Sequence, residues 1–125
     1  MKVLTIKQPF ASLIASGKKK YEFRTWKTNY RGPIYIHAGI STDLVGLKRC
    51  GDINYNYPHS KIIAQAEIVD CIKVTKEFSN KLYKLDNKVY DIKDFDGYAW
   101  ELKNVKPIND NRIIKGKLGL WRIDE

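Results

Sequence analysis

Between Gly17 and Trp26 the chain reads GKKKYEFRTW, and three residues there carry chemistry at close spacing: Lys19, Glu22 and Arg24. A lysine is a compact cation whose proton affinity responds to burial, and an arginine offers a planar fork for phosphate or carboxylate. A glutamate between them can hold the arginine or accept from a base amino group. Such a set suits recognition of an anionic, base-like ligand. It also suits acid–base work, provided that burial and mutual proximity tune the groups. The competing interpretation is an edge strand whose ion pairs serve only the fold.

Other residues extend or limit that chemistry. Trp26, Tyr30, Trp100 and Trp121 stand near expected strand ends among lysines and arginines, and IKGKLGLWRI adds a basic turn beside Trp121. Cationic grooves with stacking rings are a common design for single-stranded nucleic acid and nucleotides, although such rings also serve cores. His37, His59, Cys50 and Cys71 show no metal-ligand spacing, so neither metal nor cofactor is expected. No GxSxG, GxxxxGK[ST] or GxGxxG run is present.

Composition points the same way. Lys and Arg number 23 against 14 Asp and Glu, a formal net charge of +9 over 125 residues, which favours anionic partners. The length fits one domain, residues 1–125. No apolar run approaches the ~20 residues of a membrane span. MKVLTIKQPF is too polar for a signal peptide, and two cysteines make no disulfide framework, so a cytoplasmic location is expected.

The elements that must position the trio follow from pattern. KVLTIK alternates as a strand; QPFASLIASG is a helix of about two turns, with Pro9 at its first position, Phe10, Leu13 and Ile14 on one face, and Gly17 as its left-handed stop. KYEFRTW is a second strand, and a third runs from Ile34 to Ala38. Ser41 or Thr42 is positioned to cap a short helix through Leu47. KIIAQAEIVDCIKV is a central strand; TKEFSNKLYKL is a helix with Phe78, Leu82 and Leu85 in phase; YAWELKNV and LGLWRID are closing strands. The order is β-α-β-β-α-β-α-β-β. The class expected is α+β, a small mixed β-barrel with two or three flanking short helices, not a doubly wound parallel sheet. Strand alternation puts Glu22 and Arg24 on one face and Lys19 on the other. Lys19 joins them only by swinging inward at the turn after Gly17.

LTIKQPFASLIASGKKKYEFRTWKTNYRGPIYIHAG resembles the opening of an ASCH domain, the activating signal cointegrator homology domain. The residues that carry the resemblance are Gln8, Pro9, Ala11, Gly17, Lys19, Glu22, Arg24, Trp26, Arg31, Gly32, Ile36 and Ala38. IIAQAEIVDC, YAWELKNVKPI and IKGKLGLWRID are similar to later strands of that family. The resemblance implies a PUA-like barrel with a cleft beside the first helix, lined by Gln8, Lys19, Glu22, Arg24 and Trp26. The implied ligand is RNA or a nucleoside or nucleotide, and a protein partner is the further expectation because the parent domain occurs in coactivators. Some small family members resemble amidohydrolases that deacetylate acetylated cytidine, and others resemble ribonucleases. Lys19 and Arg24 match the amidohydrolase motif. Glu22 stands at the place of its threonine nucleophile, so on that alternative Lys19 and Glu22 would be catalytic. Glu77, Glu67 and Glu101 are the candidates for its later glutamate.

Overall fold

The computed structural model describes residues 1–124. Along the chain run β1 (Lys2–Gln8), α1 (Phe10–Ala15), β2 (Tyr21–Arg24), β3 (Gly32–Thr42), α2 (Leu44–Cys50), β4 (Lys61–Lys73), α3 (Lys76–Leu85), β5 (Tyr98–Pro107) and β6 (Leu120–Arg122). This is the expected order. The strands form one mixed sheet in the order β2-β5-β4-β3-β1-β6, with β1 and β3 parallel and the other neighbours antiparallel.

The sheet does not close into the expected barrel. β2 and β6 are its two edges and do not pair with each other. They are also the shortest strands, and β6 pairs with β1 only over Lys2–Leu4. Closure is a non-local property that strand signals do not encode, and here side chains cross the gap in place of a ladder.

The core lies on one face of this sheet. Leu4 and Ile6 of β1 meet Ile34, Ile36 and Ala38 of β3, Ala64, Ala66 and Ile68 of β4, and Trp100 and Leu102 of β5. The alanines leave room for α1, which lies against β1, β3, β4 and β5 and buries Ala11, Leu13 and Ile14. Pro9 stands just before the helix, in the cap position. Gly17 ends this unit with φ +83, a conformation that glycine takes without steric cost. A second cluster lies behind β2, where Tyr21 and Phe23 pack on Leu82, Val89 and Tyr90.

Other boundaries shift for local reasons. Asp43, not Ser41 or Thr42, caps α2 by accepting from the Gly46 N–H at 2.8 Å, and the helix runs on to Cys50. Thr75 caps α3 through the Phe78 N–H. Leu85, expected on the inner face of α3, is exposed in its last turn. Among the described residues no helix is long and apolar enough to cross a membrane.

Candidate functional site

The backbone after Gly17 decides where Lys19 goes. Its N–H donates to the Leu13 carbonyl at 3.0 Å, and the N–H of Lys20 donates to the Tyr90 hydroxyl at 2.7 Å. Lys19 therefore precedes the regular ladder, which begins at Tyr21, and escapes its parity. Its side chain turns inward between two rings, with Nζ 4.8 Å from the centroid of Phe10 and 4.9 Å from that of Phe23. Lys20, in phase with Glu22 by strict alternation, stays exposed.

Lys19, Glu22 and Arg24 meet. Lys19 Nζ donates to Glu22 Oε1 at 3.0 Å, and Arg24 Nη2 donates to Oε2 at 3.0 Å. The lysine and glutamate are only 3% and 6% exposed. Burial alone would raise the Glu22 pKa; the Lys19 and Arg24 charges and their hydrogen bonds outweigh it and hold the carboxyl below its ordinary value. Arg24 Nη2 also donates to the Thr5 carbonyl at 2.7 Å. That bond spans the open side of the sheet, linking edge strand β2 to β1 where β6 has already ended. Arg24 Nε is buried with no protein partner.

These groups form one wall of a cavity of about 1090 Å³. Trp26 stands on its rim, 37% exposed, with its ring edge-on to Trp100 at 4.7 Å between centroids. Gln8 is placed differently. It is fully buried and absent from the cavity wall; Nε2 donates to the Pro58 carbonyl at 2.8 Å and Oε1 accepts from the Ser12 N–H at 2.9 Å. Its amide secures the start of α1 and a neighbouring loop.

Glu67, Glu77 and Glu101 all lie away from the cavity: Glu67 accepts from Asn104, Glu77 sits in the first turn of α3, and Glu101 faces Tyr21 across the β2–β5 ladder. The acids that do line it beside Glu22 are Asp43 and Asp91. Thr5 is a further wall residue that alternation in KVLTIK does not single out. Its hydroxyl lies 3.1 Å from His37 Nδ1 and accepts from Trp121 Nε1 at 3.0 Å. No cluster of His, Cys, Asp or Glu suited to a metal occurs among the described residues, and both cysteines are free.

Comparison with known proteins agrees with this architecture. A crystal structure of an ASCH protein from Zymomonas mobilis superposes with a TM-score of 0.55 at 21% identity, covering 91% of this chain and 72% of that one. A tyrosine-to-phenylalanine mutant of the same bacterial protein gives 0.53 at 22% identity, covering 86% and 72%. In sequence the chain is 26% identical to human activating signal cointegrator 1 and 25% identical to the mouse protein. Each match takes in 97% of this chain but only 22% of the relative, so the chain spans about a fifth of their length. The ASCH domain family model matches residues 4–112. From the strand order to the GKKKYEFRTW turn, this chain belongs to the ASCH domain family.

Proposed function

We propose that the chain is an RNA- or nucleotide-binding module whose ligand lies in the cleft at Arg24. The observation that carries this reading is the wall itself: a guanidinium fixed by Glu22 and Thr5 on the lining of a large cavity. A pre-positioned arginine suits a phosphate oxygen or a base edge. Lys7, Arg49, Lys115 and Lys117 also line the cavity and add positive charge around it. Trp26 on the rim offers a face on which a base can stack.

The buried contact between Lys19 and Glu22 favours one second reading, hydrolysis of a modified nucleoside such as acetylated cytidine. In that chemistry Lys19 would carry the proton and Glu22 would act as base or nucleophile. The electrostatics weigh against it. Both Glu22 oxygens already accept from cations, and a carboxylate held below its ordinary pKa is a weak base.

The test is a titration of short single-stranded RNA and cytidine nucleotides against the parent chain, Arg24→Ala and Lys84→Ala at fixed salt, with melting curves alongside. A charge-assisted contact is worth about 1.5–3 kcal/mol, so Arg24→Ala should weaken binding roughly tenfold or more. Lys84 lies exposed on α3, outside the cavity, and its loss should matter little. Equal losses would mean that diffuse charge holds the ligand. Turnover of acetylated cytidine by the parent chain, abolished by Lys19→Met, would instead establish the hydrolytic reading.

A further inference from the structure

Residues 108–119 form no helix or strand, yet they are fastened to the sheet at several points. The Ile108 N–H donates to the Ile63 carbonyl at 2.9 Å, and the Ile114 N–H donates to the Ser60 carbonyl at 2.8 Å. His37 Nε2 contacts the Ile114 carbonyl at 2.6 Å. Gly116 then lies directly on Thr5 and His37. A Cβ there would stand 2.8 Å from Thr5 Cγ2 and 3.2 Å from His37 Cε1. Only a residue without a side chain lets the strap sit this low.

Lys115 and Lys117 flank that glycine, and both are exposed and line the cavity. Lys117 Nζ stands 5.6 Å from the centroid of the Trp121 ring. Among the described residues no carboxylate forms an ion pair with either lysine. The strap and Arg24 meet at Thr5: the guanidinium takes its carbonyl, and Gly116 covers its side chain. Two cationic points thus stand on either side of one residue. The cavity, about 1090 Å³, slightly exceeds the ~300–1,000 Å³ typical of a pocket for one small molecule.

The geometry points to a second anion contact on this strap, made by Lys115 and Lys117, so that the cleft takes a single-stranded oligonucleotide segment with at least two phosphates and not a lone nucleoside or mononucleotide. This deepens the nucleic-acid reading of the cleft and rests on it. Arg24 holds one phosphate, the strap lysines hold the next, and the base between them stacks on the rim at Trp26. The strap backbone is held at Ile114 by its bonds to His37 and Ser60, so both lysines are rooted beside the cleft before any ligand arrives. Such pre-organisation lowers the entropy cost of binding and favours a ligand whose charges repeat along a chain.

The experiment compares cytidine 5′-monophosphate with a labelled single-stranded RNA tetranucleotide, titrated against the parent chain at several salt concentrations. The tetranucleotide should bind at least ~10-fold more tightly, as one added charge-assisted contact implies. Replacing Lys115→Gln and Lys117→Gln together should remove most of that advantage, leave the mononucleotide within ~2-fold, and lower the salt slope by ~0.7, the value for one phosphate contact on a single strand. The paired control, Lys84→Gln with Lys88→Gln, should leave both ligands and the salt slope nearly unchanged. A tetranucleotide no tighter than the mononucleotide, or a loss shared equally by the control pair, overturns the strap contact. Arg24→Ala separates the strap from the cleft. If it weakens both ligands while the strap lysines matter to neither, the strap contact falls and the cleft remains. If neither ligand binds, or Arg24→Ala changes nothing, the cleft reading fails and the strap contact fails with it.

Discussion

His37 Nε2 donates to the Ile114 carbonyl at 2.6 Å, and this bond fixes the tautomer of a fully buried imidazole. A carbonyl can only accept, so Nε2 carries the proton. In the neutral ring Nδ1 is then the acceptor, and the Thr5 hydroxyl donates to it at 3.1 Å while accepting from Trp121 Nε1. The bonds run in one direction, from Trp121 through Thr5 and His37 to Ile114, and couple β6, β1 and β3 to the strap.

That chain of bonds gives a pH dependence. Burial lowers the His37 pKa below 6.5, against a smaller opposing pull from the Ile114 carbonyl. The unfolded chain therefore binds this proton more readily than the folded one. The contribution of neutral His37 is fully present above about pH 6.5 and declines as pH falls through that value toward the folded pKa. Melting temperatures measured from pH 8 to 5.5 should drop in the parent chain. His37→Gln keeps an amide donor toward Ile114 and removes the titration, so its profile should be flatter. Parallel profiles would show that another group sets the slope.

Glu22 responds with the opposite type of group. Glu22→Gln leaves the Lys19 ammonium buried between rings without its counterion, and removing one partner of a buried pair typically costs about 3–5 kcal/mol. Because the folded pKa is lowered, the stabilisation from Glu22 is present above its ordinary value of 4.5 and disappears as pH falls through the folded value. Denaturant unfolding should show a wide gap between parent and variant at pH 7 and a narrower one at pH 3. A gap below about 1 kcal/mol at pH 7 would place this pair in solvent.

Gly116→Ala tests the seating of the strap. The added methyl would meet Thr5 Cγ2 at 2.8 Å, closer than packed atoms tolerate, and the His37 ring at a tight 3.2 Å. Overpacking of this kind costs about 1–3 kcal/mol. Amides of the strap, Ile114 above all, should exchange with solvent faster than in the parent chain while those of β3 and β4 keep their protection. Unchanged exchange at Ile114 would mean that the strap is not held at this point.

Leu13→Ala measures the contribution of α1. Leu13 is 7% exposed on the helix face that fills the core side of the sheet, and truncation there should cost about 2–5 kcal/mol in urea unfolding. A loss under about 1 kcal/mol would show that this face is not packed.

Much of this was legible in the sequence because local pattern and tertiary role agree. The alternation in KVLTIK and KIIAQAEIVDCIKV and the glycine stop at Gly17 each follow from short-range physics. Leu85 illustrates the limit: a helical phase predicts a face, but Leu85 stands in the last turn of α3 and is exposed, while Leu82 one turn earlier is buried. Asp43 was readable as a cap, since an aspartate stands immediately before LVGLKRC, yet two hydroxyl residues just upstream compete for that role. The inward turn of Lys19 was legible only through family resemblance, because alternation alone sends it the other way. Asp91, Thr5 and the strap reach the cleft through contacts far apart in sequence, such as the 77-residue separation of His37 and Ile114, and no local pattern carries them.

Strand β2 has a further consequence. An unpaired edge is an invitation to another chain, and fibrils and swapped assemblies begin at such edges. This edge is only four residues long, and Lys19, Glu22 and Arg24 stand in and beside it as inward-turned charges. A foreign strand laid along β2 would meet the partly exposed Arg24 guanidinium and its bond to Thr5. The residues that face the cleft thus also guard the chain against templating its own aggregation.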